Sequence, residues 1–202
     1  MSIEQLARDA GLTAPRRYRV DWDRAEAAVG TRLPTDYKEY VYWFGPGDFD
    51  DYLIVCVPGV ENSNTELAAR LAHEHHGVRV LAQLAPKATP RVPLFPVPGG
   101  WLPWGFTTGG DGLYWVTSGD DPDCWTVAGR PGRGSDLAFF DGGCTAFLHT
   151  FIWDTVEMPF IPEAESDVPV LFQPDTGEWL EGGAGTRLEA YGRFEEAPGV
   201  GS

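Results

Sequence analysis

Cysteine is scarce in this 202-residue chain: Cys56, Cys124 and Cys144 form an odd set with no CxxC pair, which excludes a disulfide framework and a structural zinc site. Long apolar runs are missing too. None approaches the roughly 20 residues that span a bilayer, and the opening MSIEQLARDAGL has neither the apolar block nor the small-residue cleavage site of a secretory leader. A cytoplasmic protein with no membrane partner is expected. Cations are few, 15 Lys and Arg against 30 Asp and Glu, and a formal charge of −15 repels a phosphate polymer and favours a basic partner. Nucleic acid is therefore not an expected ligand.

Catalytic strings are also lacking. There is no GxSxG nucleophile turn, no GxxxxGK[ST] phosphate loop and no Rossmann glycine spacing. His73-Glu74-His75-His76 comes nearest to a zinc-protease HExxH, but position 77 is Gly where the second ligand should stand. These histidines read as a solvent-facing helix end, and no metal or other cofactor is expected. Aromatic residues, by contrast, are abundant at 13%, with eight Trp, so a substantial core is available.

Ile3, Leu6, Ala7 and Ala10 recur at helical spacing, Asp21 is placed to cap a short helix ended by Gly30, and Leu33-Pro34-Thr35-Asp36 opens a third helix with Tyr37, Tyr40, Val41 and Phe44 on one stripe. Residues 52–57 read as a buried strand. Ser63 and Glu66 have capping-box spacing before a helix over 65–76, which Gly77 ends, and 78–84 reads as a strand. The Pro-rich run 86–103 reads as an irregular connection. The segment 104–127 is the most informative: a Gly-rich turn at 109–112, a strand at 113–116, an acidic turn at 118–123 and a returning strand from Trp125. A strand at 137–140 and a helix over 144–155, with Phe147, Leu148, Phe151 and Ile152 on its apolar face, complete the unit. Further on, 168–172 and 178–180 flank a Pro-Asp-Thr-Gly turn and read as a terminal hairpin on the sheet edge, and the acidic last twenty residues read as mobile.

In this order of elements the chain resembles the SUKH superfamily of bacterial immunity proteins and fungal cell-wall regulators. The matching features are Leu33-Pro34-Thr35-Asp36-Tyr37 opening a helix that ends in Phe44-Gly45, the apolar strand 52–57, the Ser118-Gly119-Asp120-Asp121-Pro122-Asp123-Cys124-Trp125 turn, and the closing helix with Phe147-Leu148 and Phe151-Ile152. Gly45-Pro46-Gly47-Asp48 replaces the family's Asn-Gly-Gly-like turn. The resemblance covers residues 18–157, between a helical extension over 1–17 and an acidic tail over 158–202. It implies an α+β fold with a mostly antiparallel central sheet flanked by helices, and non-catalytic binding that neutralises a toxin domain, nucleases included.

Two acidic loops are the candidate contact sites. Asp48, Asp50 and Asp51 surround Phe49 just after a helix stop, where Phe49 or Tyr52 would anchor a basic partner ringed by carboxylates. Asp120, Asp121 and Asp123 sit at the tip of the hairpin, and Trp101, after two glycines in a Pro-rich stretch, is the candidate exposed aromatic contact. Two other functions compete. One is a regulatory scaffold in cell-envelope assembly, as the fungal branch suggests. The other is a carbohydrate-binding or hydrolytic protein that uses Trp115 and Trp125 as sugar platforms beside the aspartates.

Overall fold

The computed structural model describes residues 2–85, 92–133, 136–153, 155–161, 168–175 and 185–195. Among these residues five helices surround a seven-stranded antiparallel sheet, the α+β class expected from the sequence. The helices are α1 (Ile3–Asp9), α2 (Trp22–Val29), α3 (Thr35–Phe44), α4 (Leu67–Leu84) and α5 (Cys144–Ile152). The strands are β1 (Tyr18–Arg19), β2 (Gly47–Phe49), β3 (Leu53–Val55), β4 (Trp101–Thr107), β5 (Gly112–Val116), β6 (Thr126–Arg130), β7 (Ala138–Phe140), β8 (Phe172–Pro174) and β9 (Arg193–Phe194). The large sheet runs β7-β6-β5-β4-β3-β2-β8 with every neighbouring pair antiparallel, while β1 and β9 pair separately.

Strand side chains alternate between faces, so Phe49, Trp115, Val127 and Phe140 meet the apolar sides of α3 and α5 in one aromatic core. Tyr37 of α3 is fully buried, meets Trp115 edge-on at 4.9 Å and donates its hydroxyl proton to the Cys56 carbonyl. α1 packs against both α3 and α5. The Asp9 carboxylate accepts from Trp153 Nε1 and lies 3.2 Å from His149 Nε2, which ties α1 to the end of α5.

α4 lies on the opposite face, buries Leu67 and Leu71, and is tied to the sheet by charge. The Arg70 guanidinium stacks over Phe106, Glu74 bridges Arg70 and Arg130, and Arg130 donates to the Tyr114 hydroxyl at 2.6 Å. The expected stop at Gly77 and strand at 78–84 are both overturned: the helix continues through them to Leu84. The helix is already anchored through Arg70 and Glu74 when it reaches Gly77, and the helix formers Arg79, Leu81, Ala82, Gln83 and Leu84 offset the local penalty of one glycine. Glu66 caps this helix on its own, accepting from the Ala69 amide at 2.7 Å, and Ser63 Oγ instead accepts from the Thr186 amide.

Two more expectations change. Part of the Pro-rich stretch is a central strand, β4, and the sheet admits Pro103 because the β4–β5 register shifts between Pro103 and Gly105. Of the last twenty residues, 185–195 are docked rather than loose. The amides of Tyr191 and Gly192 donate to the Gly59 carbonyl, Tyr191 OH donates to Glu66, Arg24 stacks on Tyr191, and β9 pairs with β1. β8 does occupy the sheet edge beside β2, whereas residues 178–180, the other half of the expected terminal hairpin, lie outside the described residues.

Candidate protein-binding surface

The first acidic group forms the tight turn between β2 and β3. Asp50 and Asp51 both have left-handed backbone, with φ of 57° and 52°, a conformation that aspartate tolerates better than most residues. The Tyr52 amide donates to the Phe49 carbonyl at 3.0 Å, and the Asp51 amide donates to the Asp48 carboxylate at 2.7 Å. The turn therefore points Asp50 and Asp51 into solvent while Asp48 is buried behind them. Burial raises the Asp48 carboxyl above the usual aspartate range, opposed by the Asp51 N–H and reinforced by the neighbouring charges of Asp51, Asp175 and Asp50.

Phe49 is not the surface anchor that the sequence suggested. It is fully buried among Tyr40, Phe44, Phe151 and Phe172, because position 49 faces the helix side of β2. Tyr52 is half-buried and stacks on Phe151.

At the second acidic group, Asp121 caps a single 3-10 turn, Pro122–Cys124, by accepting from the Asp123 amide. Asp123 reaches across to α3, where its carboxylate accepts from both the amide and the hydroxyl of Thr35, at 2.5 and 2.9 Å. α3 needs this help because its N-cap residue is Pro34, which has no side-chain acceptor. The same device recurs at α5. Asp36 accepts from the Thr145 amide and hydroxyl at the start of α5, whose own N-cap is Gly143. Asp36 and Asp123 were thus invisible as caps, yet two helices opening without an acceptor of their own are a readable sign that one must come from elsewhere. Asp120 is exposed, and its carbonyl accepts from Arg32.

Strand register decides whether the two acidic groups meet. Leu53 pairs with Thr107 and Phe106 with Gly112, which places the β2–β3 and β4–β5 turns at one end of the sheet. Trp101 pairs with Val116, and Val116 with Thr126, so the 117–125 turn is at the other end. β4 joins the two ends over seven residues, about 20 Å at 3.3 Å per residue. Asp50 and Asp51 thus face away from Asp120, and one loop of a partner cannot be ringed by both groups.

Trp101 also departs from expectation. It is only 5% exposed, because it begins a central strand and packs beside Tyr114 and Ala128. Trp115 and Trp125 are buried as well, so neither offers a sugar platform. His73 and His76 are exposed, as expected, but Glu74 between them is engaged with Arg70 and Arg130, and the four residues sit mid-helix. Among the described residues no group of three or more His, Cys, Asp or Glu could hold a metal ion. Cys56 and Cys144 are buried, and burial pushes the Cys56 thiol up to about 12, a state poor in nucleophilic thiolate.

Several cations are tied to groups of the fold. Arg16 donates to the carbonyls of Phe44 and Pro46, Lys38 pairs with Glu26 at 2.5 Å, Arg70 and Arg130 share Glu74, and Arg24 rests on Tyr191. Arg16, Lys38, Arg70 and Arg130 are partly buried in these contacts, whereas Arg24 is exposed, as are Asp50, Asp51, Asp120, Asp136 and Asp141. No helix among the described residues is long and apolar enough to cross a membrane. Comparison with protein-family models, curated proteins and solved structures finds no match to the chain.

Proposed function

We propose that this chain is a non-catalytic protein-binding domain of the SUKH type that neutralises a toxin domain, a nuclease being a fitting target, by covering its basic surface. The observation that carries the reading is the excess of acid, 30 Asp and Glu against 15 Lys and Arg, which leaves a formal charge of −15. Asp50, Asp51 and Asp120 are exposed on turns at the two ends of the sheet, where a partner can reach part of that negative charge. Such a field speeds encounter with a basic protein about 10- to 1,000-fold at low salt and repels nucleic acid. It thus suits a protein that must reach a nuclease before the nuclease reaches its substrate.

Within this reading Asp50, Asp51 and Asp120 are the contact aspartates. Asp48, Asp121 and Asp123 hold their turns in place, and Phe49 and Trp101 belong to the core. A cytoplasmic setting accompanies the proposal.

The test is association with an inactivated toxin domain encoded beside this chain, followed by stopped flow at low and high salt. Association is expected to slow at least tenfold as salt rises, and a Asp50→Asn, Asp51→Asn double variant to slow it further at low salt while melting like the parent. Absence of binding, or binding indifferent to salt, overturns the proposal.

A further inference from the structure

β7 is an edge strand: β6 pairs with one side of it, and no strand among the described residues pairs with the other. Its side chains are unusual for a free edge. Phe139 is 66% exposed on the α4 face of the sheet, and Leu137, 40% exposed, precedes it by two residues, the spacing that sets side chains of an extended chain on one face. There the Phe139 ring stands edge-on to Trp101, with centroids 5.7 Å apart. An unpaired strand that displays two large apolar residues on one face is a template for another strand. The residues that bracket it, Asp136 and Asp141, are both exposed.

Charge chooses between occupants: a second copy of this chain would set one formal charge of −15 against another, and the exposed Asp136 and Asp141 at the two ends of the strand add to that repulsion. A strand carrying Lys or Arg at both ends meets the same two positions favourably.

We propose that the outer edge of β7 is a docking site for a β-strand of a basic partner protein, in which two alternate apolar residues lie against Phe139 and Leu137 and a Lys or Arg at each end pairs with Asp136 and Asp141. The inference rests on the reading of the chain as a binder of basic proteins, and it supplies that reading with an apolar anchor, which the acidic turns lack. Backbone pairing along the strand provides affinity, and the terminal charges set the register.

The probe is a capped peptide, Lys-Thr-Val-Thr-Val-Lys, titrated into the isotopically labelled full chain, with Asp-Thr-Val-Thr-Val-Asp as its counterpart. The Lys peptide is expected to shift the backbone amides of 136–141, and the Asp peptide to leave them unchanged. In a Asp136→Lys, Asp141→Lys variant the preference is expected to reverse, with the Lys peptide at least about tenfold weaker. Both residues are exposed, and a Phe139→Thr variant gives an independent check by weakening both peptides. Equal binding of the two peptides, shifts confined to other residues, or a concentration-dependent dimer of the parent chain would each overturn the proposal. If the toxin domain still binds the charge-reversed variant with parental affinity, the β7 site fails and the proposed function stands. If the toxin never binds while the Lys peptide does, the function fails and the edge site stands.

Discussion

Asp123 and Asp48 are both acidic residues next to turns, and the structure gives them opposite energetic roles. Asp123 supplies two acceptor contacts to the first turn of α3, where the backbone has no cap of its own. Asp123→Ala is expected to cost about 1 kcal/mol, within the usual 0.5–2 kcal/mol for a lost N-cap, read as a lower denaturation midpoint with an unchanged m value. Asp48 is buried among like charges and holds its proton more tightly in the folded chain than in the unfolded one. The folded state therefore binds more protons, and this residue's contribution to stability falls as pH rises from the ordinary aspartate range through the raised folded value. Asp48→Asn keeps an oxygen for the Asp51 amide and removes the charge. It is expected to stabilise the chain at neutral pH and to have little effect in acid, which urea melts at the two pH values would show.

At the level of elements, α4 offers the cleanest test of how far local signals reach. Gly77 lies within the helix without left-handed backbone, and a Cβ added there meets nothing within 4 Å. Gly77→Ala is expected to stabilise the chain by about 0.5–1 kcal/mol and to raise the melting temperature by about 1–4 °C, measured by calorimetry. The same helix shows where sequence reading stops. The starts of α2 and α3, the β5–β6 hairpin and the apolar face of α5 were all legible, since capping residues, turn glycines and periodicity are local properties. Before it reaches Gly77, α4 is tied through Glu74 to Arg130, 56 positions away, a contact which no window of sequence contains. β4 failed for a related reason: its proline is harmless only because the neighbouring strand shifts register there. At the candidate site, the identity of the acidic turns was legible, but their placement at opposite ends of the sheet and the burial of Phe49 and Trp101 follow from strand pairing, a long-range property.

On the scale of the whole molecule, the strap formed by 185–195 joins regions that nearly the full chain separates. It pairs with β1 and lies over Gly59, Glu61 and Ser63 through backbone and hydroxyl contacts, with few apolar residues buried beneath it. Segments secured in this way open at lower free energy than a packed sheet. The strap amides of Leu188, Tyr191 and Gly192 are therefore expected to exchange with deuterium well before those of Val127 and Ala128 in β6, a difference of orders of magnitude in rate that hydrogen-exchange mass spectrometry resolves. Comparable protection in both places would show that strap and sheet open as one cooperative unit.

The pairing of β1 with β9 has a bearing on biosynthesis. Tyr18 and Arg19 leave the ribosome early and stay without their strand partner until Arg193 and Phe194 emerge, so the seven-stranded sheet can assemble first and the strap closes over it as a final latch.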